Sequence, residues 1–405
     1  MGFGKNSFHR KIMPNTCSSY SGHKNKNIFA EEVILFRMFY FVGLVFPVDL
    51  KWTFSKALLH KLLEHGATLF LIIHTAGDFY SLFKLISKLP IGLTCTSLFS
   101  NIFSISLRLT LLQKRRAILS LMNHLQNVDS NSLFNKRVSR RGPIIAGICT
   151  CYIFPGFIMW FVISLCYQES KKVTFYMEDA FFGWSSSKDW ANCIILITLD
   201  HLIQNQQHIL SGFLIILIWY SLGLVKRNVG SFTTEAQRTN DVEVLFKSYL
   251  LYSSNVFECM CLMEQAFSLL LLLVFAFVLF SMFNVTTFLM TVTFANVPIS
   301  LLIGQVVLLC VTMTGFYVAS FQAVAVHDAA IEVRNSIHKV VSKSDSADYK
   351  TKCLLLAMAS NFPSKVVVTG WGLFALKRGF LKKTTSGIVT YAVLLSQLGK
   401  QAAPK

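Results

Sequence analysis

Residues 265–326 run for 62 positions without a single Asp, Glu, Lys or Arg. A helix that crosses a bilayer needs roughly 20 apolar residues, so this one stretch has room for two spans. The lipid core offers the backbone no hydrogen bonds, and a helix satisfies its own within one segment. The rest of the chain repeats the pattern in shorter form. Further charge-free runs cover 90–107, 142–168, 193–199, 209–225 and 384–399. Of 405 residues, 53 % are hydrophobic and only 14 % charged, too few charges to cover a soluble domain of this size. The sequence therefore reads as an all-α polytopic membrane protein with no separate soluble domain.

Seven segments are expected to be transmembrane helices: about 62–83, 91–112, 143–167 (kinked at Pro155), 191–225, 265–283, 298–326 and 384–399. An amphipathic stretch, VILFRMFYFVGLVFP, precedes the first. Lysine and arginine set the orientation. The tail to Lys56, the loop after the second helix, the segment after the fourth and the segment after the sixth together hold 29 of them. The alternate segments hold seven. The excess places the N-terminus in the cytoplasm and, after seven crossings, the C-terminus outside. The N-terminal stretch has no apolar core before Ile28 and does not resemble a secretory leader. A single sequon, Asn284-Val285-Thr286, is expected in the short outer turn between the fifth and sixth helices, where Asn284 is a candidate glycosylation site.

Several classes drop out. The net charge of +18 is not interleaved with stacking aromatics outside the membrane segments, so it reads as loop retention and not as nucleic-acid binding. The ten cysteines carry no histidine at ligand spacing, and no metal or cofactor is expected. Cys166 and Cys193 flank one loop and suit either a disulfide, if that loop faces outside, or plain apolar burial. No catalytic triad, paired-carboxylate cleft or phosphate loop is present, so the chain does not read as an enzyme. A G-protein-coupled receptor would place its N-terminus outside. A secondary transporter would show broken helices at matching positions of an internal repeat, and no such repeat is visible.

The last run, SGIVTYAVLLSQL at 386–398, mixes polar and apolar residues in a particular way. On a 3.6-residue period Gly387, Thr390, Leu394 and Gln397 share one face, with Ser386 and Val393 beside it. The charge-free run spans 16 residues, about 24 Å, shorter than a hydrocarbon core of about 30 Å. A short helix with a polar stripe suits hydrogen bonding to neighbouring helices, or a pore in which Leu394 forms a constriction and Gln397 a polar ring.

TYAVLLSQL, residues 390–398, resembles the closing signature of insect gustatory receptors: Thr-Tyr, five mostly hydrophobic residues, then Gln-Phe. GLFALKRGFL, 372–381, is similar to the Gly-Leu-Phe…Arg…Leu block that precedes it there. The chain departs at Leu398, where the family has Phe, at Lys377, where an acid is usual, and at Ser396. The resemblance implies a tastant-gated, non-selective cation channel, a homotetramer in the lipid of a plasma membrane. Residues 1–56 would form the cytoplasmic tail and amphipathic segment, 57–326 helices one to six, 327–383 a cytoplasmic anchor and 384–399 the pore helix. Thr390, Tyr391 and Gln397 would be signature residues, with Thr390, Leu394 and Gln397 lining the pore. An odorant-receptor-like subunit that needs a co-receptor is the related alternative, and a secondary transporter is a third reading from another class.

The anchor has a candidate seam after helix six. Val326, Ala330, Val333, Ile337 and Val340 recur in steps of four and three, while Asp328, Glu332, Arg334 and Lys339 lie off it. That seam suits another subunit or the chain itself. For the small-molecule ligand, helix four offers LDHLIQNQQHILS, where Asp200, Gln204, Gln207 or His208, and Ser211 follow helical spacing with His201 adjacent. Ionisable residues inside a span are functional candidates by default, and a polar seam to another helix is the competing reading. Phe99, Trp160, Tyr167, Phe280 and Gln305 are further outer-half candidates, because a mostly aromatic cleft suits a small ligand.

Overall fold

The computed structural model describes residues 30–44, 46, 54–84, 91–131, 140–168, 189–239, 241–291, 299–344 and 348–402. The described residues of every segment that the sequence marks as a span are helical, with 191–225 interrupted by a π turn and residue 298 outside the described residues. After α1 (Ala30–Met38) and a 3-10 turn (Phe39–Val42) come α2 (Phe54–Lys84), α3 (Ile91–Asn131) and α4 (Arg141–Gln168). Next are α5 (Asp189–Gln204), a π-helical turn (Asn205–Ile209) and α6 (Leu210–Arg238), which form one interrupted rod. Then follow α7 (Val242–Thr291), α8 (Ile299–Lys343), α9 (Tyr349–Lys365), a hairpin of β1 (Thr369–Gly370) and β2 (Phe374–Ala375), and α10 (Arg378–Ala402). Among the described residues four helical stretches are long and apolar enough to cross a membrane: Arg141–Trp160, Ala191–Arg238, Val242–Thr287 and Leu302–Lys343.

Several helices outrun a bilayer. The 50 residues of α7 extend about 75 Å, against a hydrocarbon core of about 30 Å. Their charged ends come together. Phe232 near the end of α6 stacks on Tyr252 of α7 at 4.5 Å, and Phe362 of α9 lies 5.8 Å from the same ring. The seam residues Val326, Ala330, Val333 and Ile337 are fully buried in this layer, and Val340 packs against it. α8 runs along α6 and also contacts α9, so the seam is filled by the chain itself. Burying Val326, Val333 and Ile337 at about 1.5–3 kcal/mol each supplies the drive, and Ala330 adds less.

The first helices enclose a re-entrant N-terminal segment. Leu35, Phe39, Val42 and Leu44 are buried, and Phe39 meets Phe213 of α6 edge to face at 6.0 Å. Gly43 closes the 3-10 turn at φ 68°. A Cβ there would meet Ala67 Cβ and the Leu63 carbonyl at 3.3 Å, so both the conformation and the space call for glycine.

One sequence expectation is corrected outright. Asn284-Val285-Thr286 is not in a turn, because α7 continues to Thr291. Val285 and Thr286 are buried, and Thr286 Oγ1 donates to the Met282 carbonyl at 2.7 Å. A sequon reads as a surface loop, and this one is a packed helix. The turn beyond it, 292–298, lies outside the described residues.

Candidate functional site

Two regions carry the polar chemistry of the bundle. The first is α10. Its packed side is Leu381 and Ile388, both buried, with Phe380 stacked on Phe374 of the hairpin at 4.9 Å. The hairpin sets that ring. Trp371 and Gly372, the two central residues of its turn, both have positive φ, and the Leu373 N–H donates to the Gly370 carbonyl at 2.9 Å. The Trp371 N–H donates to Ser268 Oγ of α7 at 2.7 Å. Arg378, at the start of α10, pairs with Asp328 of α8 at 2.8 Å.

Two hydroxyl clasps then fix the helix. Tyr391 and Thr287 of α7 approach to 2.8 Å, as do Tyr317 of α8 and Thr385. Each threonine already spends its proton on the carbonyl four residues back, Thr287 on Phe283 at 2.8 Å and Thr385 on Leu381 at 2.9 Å. A hydroxyl has one proton, so in both clasps tyrosine donates and threonine accepts. The Tyr391 ring also sits edge to face on Phe283 at 4.8 Å. Tyr391 therefore faces its own bundle.

The other side of α10 is open. Ser386, Gly387, Val389, Thr390, Val393 and Leu394 are exposed, Leu394 to 52 %. A groove of about 620 Å³ runs along Lys383, Ser386, Gly387, Thr390 and Leu394, and another of about 670 Å³ lies between α10 and Phe321, Val324 and Ala325 of α8. The side chain of Gln397 lies outside the described residues.

The second region lies among α2, α3, the π turn and α7. A π turn inserts one residue and shifts the helical phase, so Gln206 and Gln207 are both buried. Gln207 donates to Asn101 Oδ1 of α3 at 2.7 Å, and Asn101 Nδ2 lies 2.7 Å from His74 Nδ1 of α2. Taking the amide as the donor leaves the His74 proton on Nε2. Aromatic rings on the same helices come together as well. Phe99 and Phe103 of α3 approach Phe280 of α7 at 5.6 and 6.1 Å, and His208 lies 5.8 Å from Phe277. A few fixed hydrogen-bonding groups beside aromatic surface are what a small organic ligand needs.

The sequence candidates distribute unevenly over this picture. Phe99 and Phe280 come together. Trp160 on α4 is 49 % exposed and packs on Phe157 at 6.2 Å; Gln305 on α8 and His201 on α5 are half-buried. The side chains of Asp200, Gln204 and Tyr167 lie outside the described residues. Gln207 does form a polar seam, to Asn101 in the second expected span. Cys193 is disulfide-bonded, and the side chain of Cys166 lies outside the described residues.

Sequence reasoning missed Asn101, His74, Gln206 and above all Arg108. Asn101, Ser104 and Arg108 occupy one face of α3, and none has any exposed surface. The signal was there: an arginine inside a span, on the rule that singled out Asp200.

This bundle of long helices, with its buried N-terminal segment and clasped last helix, shares its fold with a solved insect receptor. The chain is similar to the solved insect olfactory receptor OR5 from Machilis hrabei, at 12 % identity over 91 % of this chain and 97 % of that one, with a TM-score of 0.55. The same receptor in complex with eugenol matches at 13 % identity over 91 % and 98 %, with a TM-score of 0.54. At such identities the likeness is one of fold. No protein-family model matches the chain, and no curated protein matches it.

Proposed function

We propose that the chain is a ligand-gated, non-selective cation channel of the insect chemoreceptor kind, with a gustatory role, and that four copies surround one pore. α10 lines that pore with Thr390, Leu394 and Gln397. The N-terminus is cytoplasmic, the C-terminus extracellular, and the assembly sits in a plasma membrane. The tastant enters the outer half of the bundle, where Asp200, His201, Gln204, Trp160, Phe280 and Gln305 remain candidate contacts, joined by Phe99, Asn101 and Gln207.

The observation that carries this reading is the two-sidedness of α10. One side is clasped to α7 and α8, while the side with Thr390 and Leu394 is exposed among the described residues. Lipid does not satisfy a stripe of Ser386, Thr390 and Gln397; water in a pore does. Cysteine replacement along α10, in the chain expressed alone, tests it. Charged thiol reagents are expected to block current at Thr390, Leu394 and Gln397 and to leave it intact at Ile388. Block at Ile388 with none at Thr390 or Leu394 overturns the assignment.

A second reading has one observation in its favour, the fold likeness to an olfactory receptor: a subunit that conducts only with a co-receptor. Current from the chain alone excludes it.

A further inference from the structure

Arg108 is completely buried in the bundle, where an uncompensated cation is among the most costly groups a protein can hold. All five of its N–H donors are used. Nε donates to Thr68 Oγ1 at 2.8 Å. Nη1 donates to the Val42 carbonyl at 2.7 Å and to Gln206 Oε1 at 2.9 Å. Nη2 donates to the carbonyls of Gly43 at 2.7 Å and Glu64 at 3.1 Å. One guanidinium thus ties four pieces of chain: the re-entrant N-terminal turn, α2, α3 and the π turn.

Each partner has a reason to need it. The 3-10 turn ends at Val42, and the carbonyls of Val42 and Gly43 point at the buried guanidinium. Arg108 supplies the missing donors, and Gln206 Nε2 adds a second to Val42 at 3.2 Å. Gln206 is held at both ends of its amide, accepting from Arg108 and donating to Val42. Its neighbour Gln207 is the residue that reaches Asn101 and, through it, His74. Asn101 and Arg108 are seven residues apart on α3, about 10.5 Å, so one face of one helix fixes both ends of the arrangement.

We infer that Arg108 is a positioning residue for the ligand site: by locking Gln206 it sets the π turn in the register that aims Gln207 at Asn101 and His74. The inference rests on the reading of that region as a ligand site, and it goes beyond it by making the N-terminal turn part of the site's support. Lysine cannot replace the planar fork, because three donors on one nitrogen do not reach five acceptors spread over three segments.

Hydrogen exchange on the purified full-length chain tests the clamp without any ligand. With Arg108→Met, amides in 205–210 and 39–44 are expected to exchange about tenfold faster, while 326–337 on α8 stay unchanged. Arg108→Lys is expected to recover part of the protection at 39–44 and little at 205–210. Gln206→Leu, a milder variant should Arg108→Met not fold, is expected to loosen 205–210 while α8 holds. Uniform loosening that reaches 326–337 in both Arg108→Lys and Gln206→Leu means a general packing role and overturns the inference; so does unchanged exchange at 205–210. Currents supply the second arm. Across a panel of small odorants and sugars that includes eugenol, Gln206→Leu is expected to raise the half-maximal concentration about tenfold at unchanged maximal current. Silence of the wild type to the whole panel counts against the proposed function and leaves the exchange result standing.

Discussion

The clasp between Tyr391 and Thr287 allows a prediction in which the two halves of one hydrogen bond have different worth. Tyr391→Phe keeps the ring on Phe283 and removes only the donor. The Thr287 proton remains on the Phe283 carbonyl, so no donor is stranded. The expected loss is about 0.6 kcal/mol, the mean for interhelical hydrogen bonds in membranes. Thr287→Val removes the acceptor and leaves the half-buried Tyr391 hydroxyl unpaired, which adds a desolvation cost and raises the loss to about 1–2 kcal/mol. The double variant strands nothing, so it is expected to cost less than the two singles together, with a coupling of about 0.5–1.5 kcal/mol. Reversible unfolding of the purified chain in mixed micelles, titrated with sodium dodecyl sulfate and followed by tryptophan fluorescence, reads all three. If Tyr391→Phe costs as much as Thr287→Val, or the losses simply add, the donor assignment is wrong. The same cycle at Tyr317 and Thr385 is expected to show the same asymmetry.

Three smaller predictions follow. Gly43→Ala puts a side chain at φ 68° and against Ala67 and Leu63, costing about 1–2 kcal/mol for the conformation alone, and thermal inactivation should come several degrees earlier. Arg378→Ala removes an ion pair whose arginine is 76 % exposed, so its effect on stability should stay within about 1 kcal/mol and shrink in high salt; a large loss would mean that the pair is closed off in an assembly. Asn101→Leu breaks the link between Gln207 and His74 and takes the acceptor from the buried Gln207 amide, costing about 1–3 kcal/mol in the same micelle titration.

How much of this was legible depended on which physical quantity each inference used. Charge-free runs report solvent, and the segments they marked are helical wherever the structure describes them, because lipid leaves the backbone little choice. Lengths beyond the membrane are not set by that rule, and so α7 runs past the expected turn and takes Asn284 with it. The seam from Val326 to Ile337 was visible because a buried stripe leaves a period of 3.6. Its occupant was not, since α6 and a second subunit would ask for the same residues. Grouping Asp200, Gln204, Gln207 and Ser211 assumed an unbroken register, and a single extra residue at 205–209 turns the face. Gln206, absent from that grouping, became the residue that meets the arginine. Arg108 itself was used as the place where a charge-free run stops. Its five acceptors come from residues 42, 43, 64, 68 and 206, and sequence spacing does not bring those together.

The placement of polar groups then separates what is held from what is free to act. Arg108 spends every donor, Gln206 uses both ends of its amide, and the two clasp threonines give their protons to their own helices. Such fully satisfied groups fix geometry, since each one that moves loses a bond in a medium that offers no replacement. The exposed stripe of α10 has the opposite character: Ser386 and Thr390 lie among Val389, Val393 and Leu394 on a face that the chain leaves open. A helix clasped on one side by tyrosine donors, with that stripe on the other, moves toward or away from whatever it faces only by breaking Tyr391–Thr287 and Tyr317–Thr385. Opening of the proposed pore should therefore be easier in Tyr391→Phe than in the wild type, by about 3-fold for a loss of about 0.6 kcal/mol. A rise of that size in ligand-free current would tie the clasp to gating, and an unchanged or smaller current would show that α10 opens without leaving α7.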